Sequence, residues 1–384
     1  MKGREPVARP CRIGKALDMS PAQDSPLHDL SVALPVGVAV EGWAEVGAFD
    51  LGVGSADADV VSGDRTDVPA GGIEADARYF EYSRAANPVG AGTIPAIPLA
   101  RIEARSYRDA PTGAIPFDLS HSLGISSGPA TSPALLASFV RIRPGERFAT
   151  APVATSELYY VLAGQGRTEL ADVTIAWAKG DFIVLPAGAA ANHQAGPNPS
   201  DDVTLYWVHD EPLMRYLGVK PVAPRFRPTR FPAARTQAEL DAVVASPHST
   251  DRNRLAVLLN TRPFPQTQTV THVLWAMYGL LPEGAVQRPH RHQSVALDLV
   301  GRCAPGCFTL VGRTIDERGH IVDPTRVDWE EGGAFVTPPG LWHAHVNESG
   351  APAIIIPIQD AGLHTYLRSL DIRFAPPASR AASS

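Results

Sequence analysis

RPHRHQSVALDLVG, residues 288–301, is the stretch on which the reading of this chain turns. His290 and His292 are two residues apart. Alternate residues of a strand point to one face, so both imidazoles can reach one metal ion. An H-x-H pair describes two solvated side chains equally well. The sequence on either side has to separate the two readings.

Gly284 stands six residues before His290. Downstream runs Gly332-Gly333-Ala-Phe-Val-Thr-Pro338-Pro-Gly340-Leu-Trp-His343-Ala-His345-Val-Asn347. The frame G-x5-H-x-H followed by P-x-G-x-x-H-x-x-x-N resembles the two signature motifs of the cupin superfamily. It makes His290, His292 and His343 the candidate metal ligands, two from one strand and one from just past a Pro-Gly turn. Where most cupins carry a Glu ligand, this chain has Ala296 and Leu297. The string H-R-H-x-x-x-A-L is similar to that of the gentisate 1,2-dioxygenase family, which includes salicylate and 1-hydroxy-2-naphthoate dioxygenases. The W-H-x-H of Trp342-His343-x-His345 fits it too, as does Trp275, fifteen residues before His290. The resemblance covers roughly residues 80–375.

That resemblance implies an all-β fold of two tandem cupin barrels (double-stranded β-helix, jelly-roll) with short helices. It also implies one Fe(II) on three histidines, O2 as co-substrate, and ring cleavage of a hydroxylated or amino-substituted aromatic compound. The alternative is a non-redox bicupin (isomerase, lyase or hydrolase) using Mn(II), Ni(II) or Zn(II) as a Lewis acid. Three imidazoles leave a metal its full 2+ charge, which favours an anionic chelating substrate. The resemblance makes His345 a catalytic acid/base candidate beside the ligands. It makes Trp275, Arg288, Arg291, Asp298 and Trp342 candidates for contact with substrate. Asp298 departs from the family, which has an Arg there to grip a substrate carboxylate. Either Arg288, Arg291 or Arg302 takes over that grip, or the substrate presents a hydrogen-bond donor to Asp298. A β-bulge that turns Asp298 outward is the plain alternative.

The chain repeats itself. LLASFVRIRPGERF, ELYYVLAGQGRTEL, GDFIVLPAG and VTLYWVHDEPLMRYLGV return in order as THVLWAMYGLLPEGAVQ, VALDLVGRC…FTLVG, GGAFVTPPG and AIIIPIQDAGLHTYL. This is an internal duplication of an all-β unit. Counting from Gly145, the first copy holds Ala151, Val153 and Ala191 where the second has its three histidines. Only Glu157 stands at a ligand position, and His193, nearby, reads as structural or exposed. The organisation expected is a disordered terminus (1–25), an arm (26–130) and a degenerate, metal-free cupin (131–220). A linker (221–265) follows, with a helix capped at Thr236, then the metal-bearing cupin (266–375) and a tail (376–384).

Composition agrees with a globular chain of many strands and tight turns: 384 residues, 44% hydrophobic, with 36 Pro and 33 Gly. Net charge is −6 without a basic block, which argues against nucleic acid as a partner. Three cysteines, Cys11, Cys303 and Cys307, argue against a disulfide scaffold and fit the cytoplasm. The apolar run SVALPVGVAV is too short to span a membrane, and no signal-peptide core precedes it. Met19 is a plausible alternative start. The expected partners are a small aromatic substrate, O2 and further copies of the chain, as a homodimer or homotetramer whose arm crosses between subunits.

Overall fold

Strand after strand in this chain is buried on both faces, and the reason is two barrels packed back to back. The computed structural model describes residues 72–376 apart from Glu74, 199–201, 248, 250 and 251. The expectations for residues 1–25, most of the arm to residue 71, Cys11, Met19, the SVALPVGVAV run and residues 377–384 lie outside the described residues. Residues 1–77 and 78–384 divide into two units, and every strand described belongs to the second.

The arm supplies β1 (Arg101–Ile102) and β2 (Gly113–Pro116). The first repeat gives β3 (Leu136–Ile142), β4 (Arg147–Thr150), β5 (Ser156–Ala163), β6 (Gln165–Glu169), β7 (Thr174–Ala178), β8 (Phe182–Pro186), β9 (Ala191–Ala195) and β10 (Val203–His209). The linker adds β11 (Thr229–Phe231) and β12 (Leu255–Leu258). The second repeat gives β13 (Trp275–Leu281), β14 (His290–Arg291), β15 (Ala296–Arg302), β16 (Cys307–Gly312), β17 (Thr325–Asp328), β18 (Ala334–Thr337), β19 (Trp342–Asn347) and β20 (Ala353–Gln359), and β21 (Arg373–Phe374) follows. The first barrel closes sheet β11-β8-β5-β10-β3-β2 over β4-β9-β6-β7. The second closes β1-β18-β15-β20-β13-β12 over β17-β16-β19-β14-β21.

Three cores result. Tyr159, Trp177, Ile183, Leu205 and Trp207 fill the first barrel. Val300, Cys307, Trp329, Phe335 and Ile355 line the second. Between them, Phe139, Leu158 and Val208 pack with Leu297, Leu299 and Ile356. The strands shared by an interior and this middle layer read as unbroken apolar runs, which is why VTLYWVH and AIIIPIQ show no alternation.

The described part of the arm packs against the barrels of its own chain. Here β1 pairs with β18 of the second barrel, and the Tyr107 hydroxyl donates to the Gly332 carbonyl at 3.0 Å. The linker helix begins before Thr236, at Ala233, and Thr236 is buried inside it. Asp181 accepts the Ala233 N–H at 2.8 Å, so a carboxylate from the first barrel satisfies the first turn and no local cap is needed. Among the described residues no helix is long and apolar enough to cross a membrane.

A buried Asp ends each barrel. Asp210 accepts the Ser156 N–H at 3.0 Å, and Asp360 accepts the Val295 N–H at 2.9 Å. This pins the repeats in register: Glu157 matches Ala296, and Tyr159 matches Asp298.

Candidate metal centre

The site is built from β14 and β19 outward. Gly284, at φ 69°, takes the left-handed turn that sends the chain from β13 towards β14, as Gly145 does at φ 77° in the first barrel. His290 lies directly opposite His343 in the ladder. Ring centroids are 4.1 Å apart for His290–His343, 4.9 Å for His292–His343 and 5.9 Å for His290–His292. One nitrogen from each of these three buried rings lies within 4.8 Å of the others.

The neighbouring backbone sets two of the rings. His292 Nδ1 is 2.9 Å from the Ser294 carbonyl and His343 Nδ1 is 3.1 Å from the Leu341 carbonyl. A carbonyl only accepts, so each Nδ1 carries the proton and each Nε2 keeps its lone pair for a ligand bond. His290 Nδ1 is buried with no hydrogen-bond partner. Burial first, then nearby positive charge, holds the pKa of His290 well below the ordinary range. Burial likewise takes His292 down to about 4 and His343 far below its usual value. Three neutral imidazoles, one with an orphaned nitrogen, are a donor set suited to a divalent transition metal.

His345 is buried two residues beyond His343, and its Nδ1 lies 2.8 Å from Thr309 Oγ1. Asp298 faces into the barrel: its neighbours Leu297 and Leu299 belong to the middle layer and Val300 to the interior. The bulge in β15 falls later, between Val300 and Arg302, so it leaves Asp298 inward. Thr337 donates to Asp298 Oδ2 at 2.6 Å. Burial raises the Asp298 pKa to about 6 against the pull of Thr337 and Arg254. Trp275 shares the inward face of β13 with Met277 by alternation.

The remaining candidates fall elsewhere. Arg291 lies over the Trp342 ring, 5.2 Å from its centroid. Both sit on strand faces opposite to the histidine ligands, so alternation turns this pair away from the triad. Arg288 lies over Phe374, 5.1 Å from its centroid, and Phe374 stacks on His290. Arg302 is exposed at the end of β15. Cys307 donates to Asn347 Oδ1 at 3.2 Å within the second core.

The guanidinium that does reach the triad was absent from the sequence reading. Arg254, just before β12, places Nη2 3.2 Å from His290 Nε2 and 3.3 Å from Gln287 Oε1. Burial lowers its pKa to about 10, which leaves it cationic at neutral pH. Its only sequence signal is an Arg at the mouth of a short apolar strand, RLAVLL.

The first barrel has the same frame with a different filling. Ala191 pairs with Thr150 as His343 pairs with His290. The register therefore assigns Thr150, one residue before the Ala151 reached by counting, to the place of His290. The second barrel carries one more residue between its turn glycine and β14. His193 is fully buried, which removes the exposed reading, and its Nε2 is 3.1 Å from Thr150 Oγ1. Thr150 meets the Tyr159 hydroxyl at 2.9 Å, and Tyr159 donates to Glu157 Oε2 at 2.6 Å. Trp207 donates to the same oxygen at 3.0 Å. Burial raises the Glu157 pKa to about 8 despite these two donors.

Two jelly-roll barrels in tandem, with a histidine cluster inside one, give the chain the fold of a bicupin. More particularly, the chain is similar to salicylate 1,2-dioxygenase from Pseudaminobacter salicylatoxidans. The match has a TM-score of 0.56 at 12% identity and covers 72% of this chain and 88% of that one. A variant of that enzyme in complex with gentisate gives 0.57 at 13%, covering 77% and 91%. By sequence, 107 residues are 33% identical to a 5-aminosalicylate 1,2-dioxygenase of Comamonas sp. That match spans 27% of this chain and 28% of the relative's length. No family model matches the chain.

Proposed function

We propose that the protein is an Fe(II)-dependent dioxygenase that cleaves the ring of a hydroxylated, amino-substituted aromatic acid. The observation that carries this reading is the buried triad of neutral imidazoles with a cationic Arg254 beside it. His290, His292 and His343 would hold the iron. When bound, it would supply a Lewis acid with open positions for adjacent substrate oxygens and for O2.

The protein's own groups then choose the substrate. Arg254 offers two donors and a positive charge to a carboxylate or phenolate brought to the triad. Asp298, already bonded to Thr337, presents a carboxylate that accepts a hydrogen bond or pairs with an ammonium. Trp275 supplies a flat wall. A 5-aminosalicylate carries a carboxylate, an ortho hydroxyl and an amine para to that hydroxyl, so it meets both charges at once. The likeness to a 5-aminosalicylate 1,2-dioxygenase supports the same substrate class.

The first barrel, filled by its aromatic network, is read as scaffold, and the chain as a cytoplasmic homodimer or homotetramer. A single monomeric peak in light scattering at micromolar concentration would contradict that assembly. The test of function is anaerobic loading with Fe(II) and an oxygen-electrode screen. Its panel is 5-aminosalicylate, gentisate, salicylate, 1-hydroxy-2-naphthoate, aminophenols and hydroquinone. Stoichiometric O2 uptake with an aromatic acid is expected. Turnover without O2 uptake would point instead to isomerase, lyase or hydrolase chemistry.

A further inference from the structure

Both barrels contain the same three-residue chain, though only one has the triad. In the second, the Trp329 indole N–H donates to Thr309 Oγ1 at 2.8 Å, and Thr309 Oγ1 meets His345 Nδ1 at 2.8 Å. In the first, Trp177 donates to Thr168 Oγ1 at 2.8 Å, and Thr168 Oγ1 meets His193 Nδ1 at 2.9 Å. Each Thr sits directly opposite its His in the ladder. Both threonines are fully buried.

The direction of these bonds follows from what each group can do. An indole nitrogen only donates, so the Thr oxygen accepts from it. The hydroxyl has a single proton, and the His Nδ1 is its remaining partner among the described residues. If Nδ1 carried a proton, as it does in the cation or the other tautomer, the hydroxyl proton would be buried without an acceptor, which is costly. The Trp–Thr pair therefore selects the ring form with Nδ1 bare and the proton on Nε2.

The two barrels differ in what that Nε2–H meets. In the first, Thr150 Oγ1 accepts it. In the second, the register puts His290 where Thr150 stands. Among the described residues no hydroxyl takes the place of Thr150 at His345 Nε2, and the His345 ring centroid lies 6.4 Å from that of His290 and 6.0 Å from that of His343.

We infer that Thr309 and Trp329 are positioning residues that lock His345 as an Nε2–H donor towards an oxygen of the bound aromatic substrate. His345 is thus a donor at the start of the reaction rather than a base. The reading of the site as a dioxygenase centre is presupposed for the substrate, but the tautomer itself is independent of it.

The test has two arms. Protein labelled with 15N-histidine and loaded with diamagnetic Zn(II) is read by two- and three-bond 15N–1H correlation, with His345→Gln used for assignment. The expected result is Nε2–H for both His345 and His193. Thr309→Val should bring His345 into a mixture of tautomers, and Thr309→Ser should restore the single form. If Thr309→Val does not fold, Trp329→Phe removes the indole donor and should give the same mixture. In the second arm, the Fe(II)-loaded Thr309→Val protein should keep its iron. Its kcat should fall by about tenfold to a hundredfold while KM stays within about threefold, with Thr309→Ser recovering the loss. An Nδ1–H form of His345 in the wild type overturns the inference. So does a Thr309→Val enzyme with wild-type kcat. If no protein consumes O2, the functional reading fails and the tautomer arm still decides this one.

Discussion

Tyr159 and Asp298 stand at the same place in the two barrels. Each lies two residues along its central strand from the residue opposite the strand end, Glu157 opposite His209 and Ala296 opposite Gln359. In the first barrel a Tyr fills that place, closing the interior with a phenol bonded to Glu157 and Thr150. In the second, Asp298 takes that place, its carboxylate bonded to Thr337 on the inward face. One duplicated fold carries an aromatic network on one side and a histidine triad on the other.

Metal should follow the histidines alone. Elemental analysis after loading should give one iron per chain, and His290→Ala should lose iron and activity together. Two ions per chain would place a second site in the first barrel and contradict the account.

Arg254 should hold the anionic end of the substrate. Losing a hydrogen bond to a charged group costs about 1.5–3 kcal/mol, so Arg254→Met should lower kcat/KM roughly tenfold to a hundredfold for substrates bearing a carboxylate. Arg254→Lys should recover only part, because a point charge does not replace a planar fork. Equal losses for phenols with and without a carboxylate would show that Arg254 acts on the fold or the metal instead.

Asp298 should decide which ring is preferred. Losing a hydrogen bond to a charged acceptor costs about 1.5–3 kcal/mol, so Asp298→Ala should cut efficiency with an amino-substituted acid roughly tenfold to a hundredfold. Asp298→Arg should move preference towards gentisate-like acids. Unchanged turnover and preference in Asp298→Ala would falsify the pocket role.

The histidine cluster was legible because spacing encodes it. H-x-H, the turn glycines and W-H-x-H are local strings, and alternation carries them to one face. Alternation also explains where Arg291 and Trp342 fall: each is one residue from a ligand in the sequence, which turns it to the other face of its strand. Arg254 was invisible for the opposite reason. It reaches His290 only because β12 joins the edge of the sheet beside β13, a pairing that no local pattern announces. The offset between Ala151 and Thr150 has the same origin, since one extra residue before β14 cannot be seen by counting from a glycine.

Stability should respond to pH through Glu157. Its folded pKa, about 8, lies above the ordinary carboxylate value, so the folded state holds a proton that the unfolded chain releases. Its contribution is fully present below about 4.5 and is lost as pH rises to about 8, with a limiting slope of roughly 1.4 kcal/mol per pH unit. Glu157→Gln keeps an acceptor for Tyr159 and Trp207 and cannot ionise. Urea unfolding of the variant between pH 5 and pH 8 should therefore show a shallower fall than the wild type. Parallel curves would mean that Glu157 is already charged in the fold.

Turnover under 18O2 addresses the central claim most directly. Fe(II)-loaded protein is given 5-aminosalicylate, and the product is weighed by mass spectrometry. The account predicts one O2 consumed per substrate and a ring-opened product carrying both labelled atoms, with neither appearing when His343 is replaced by Ala. A product that carries no label, or that forms equally well without O2, would contradict it.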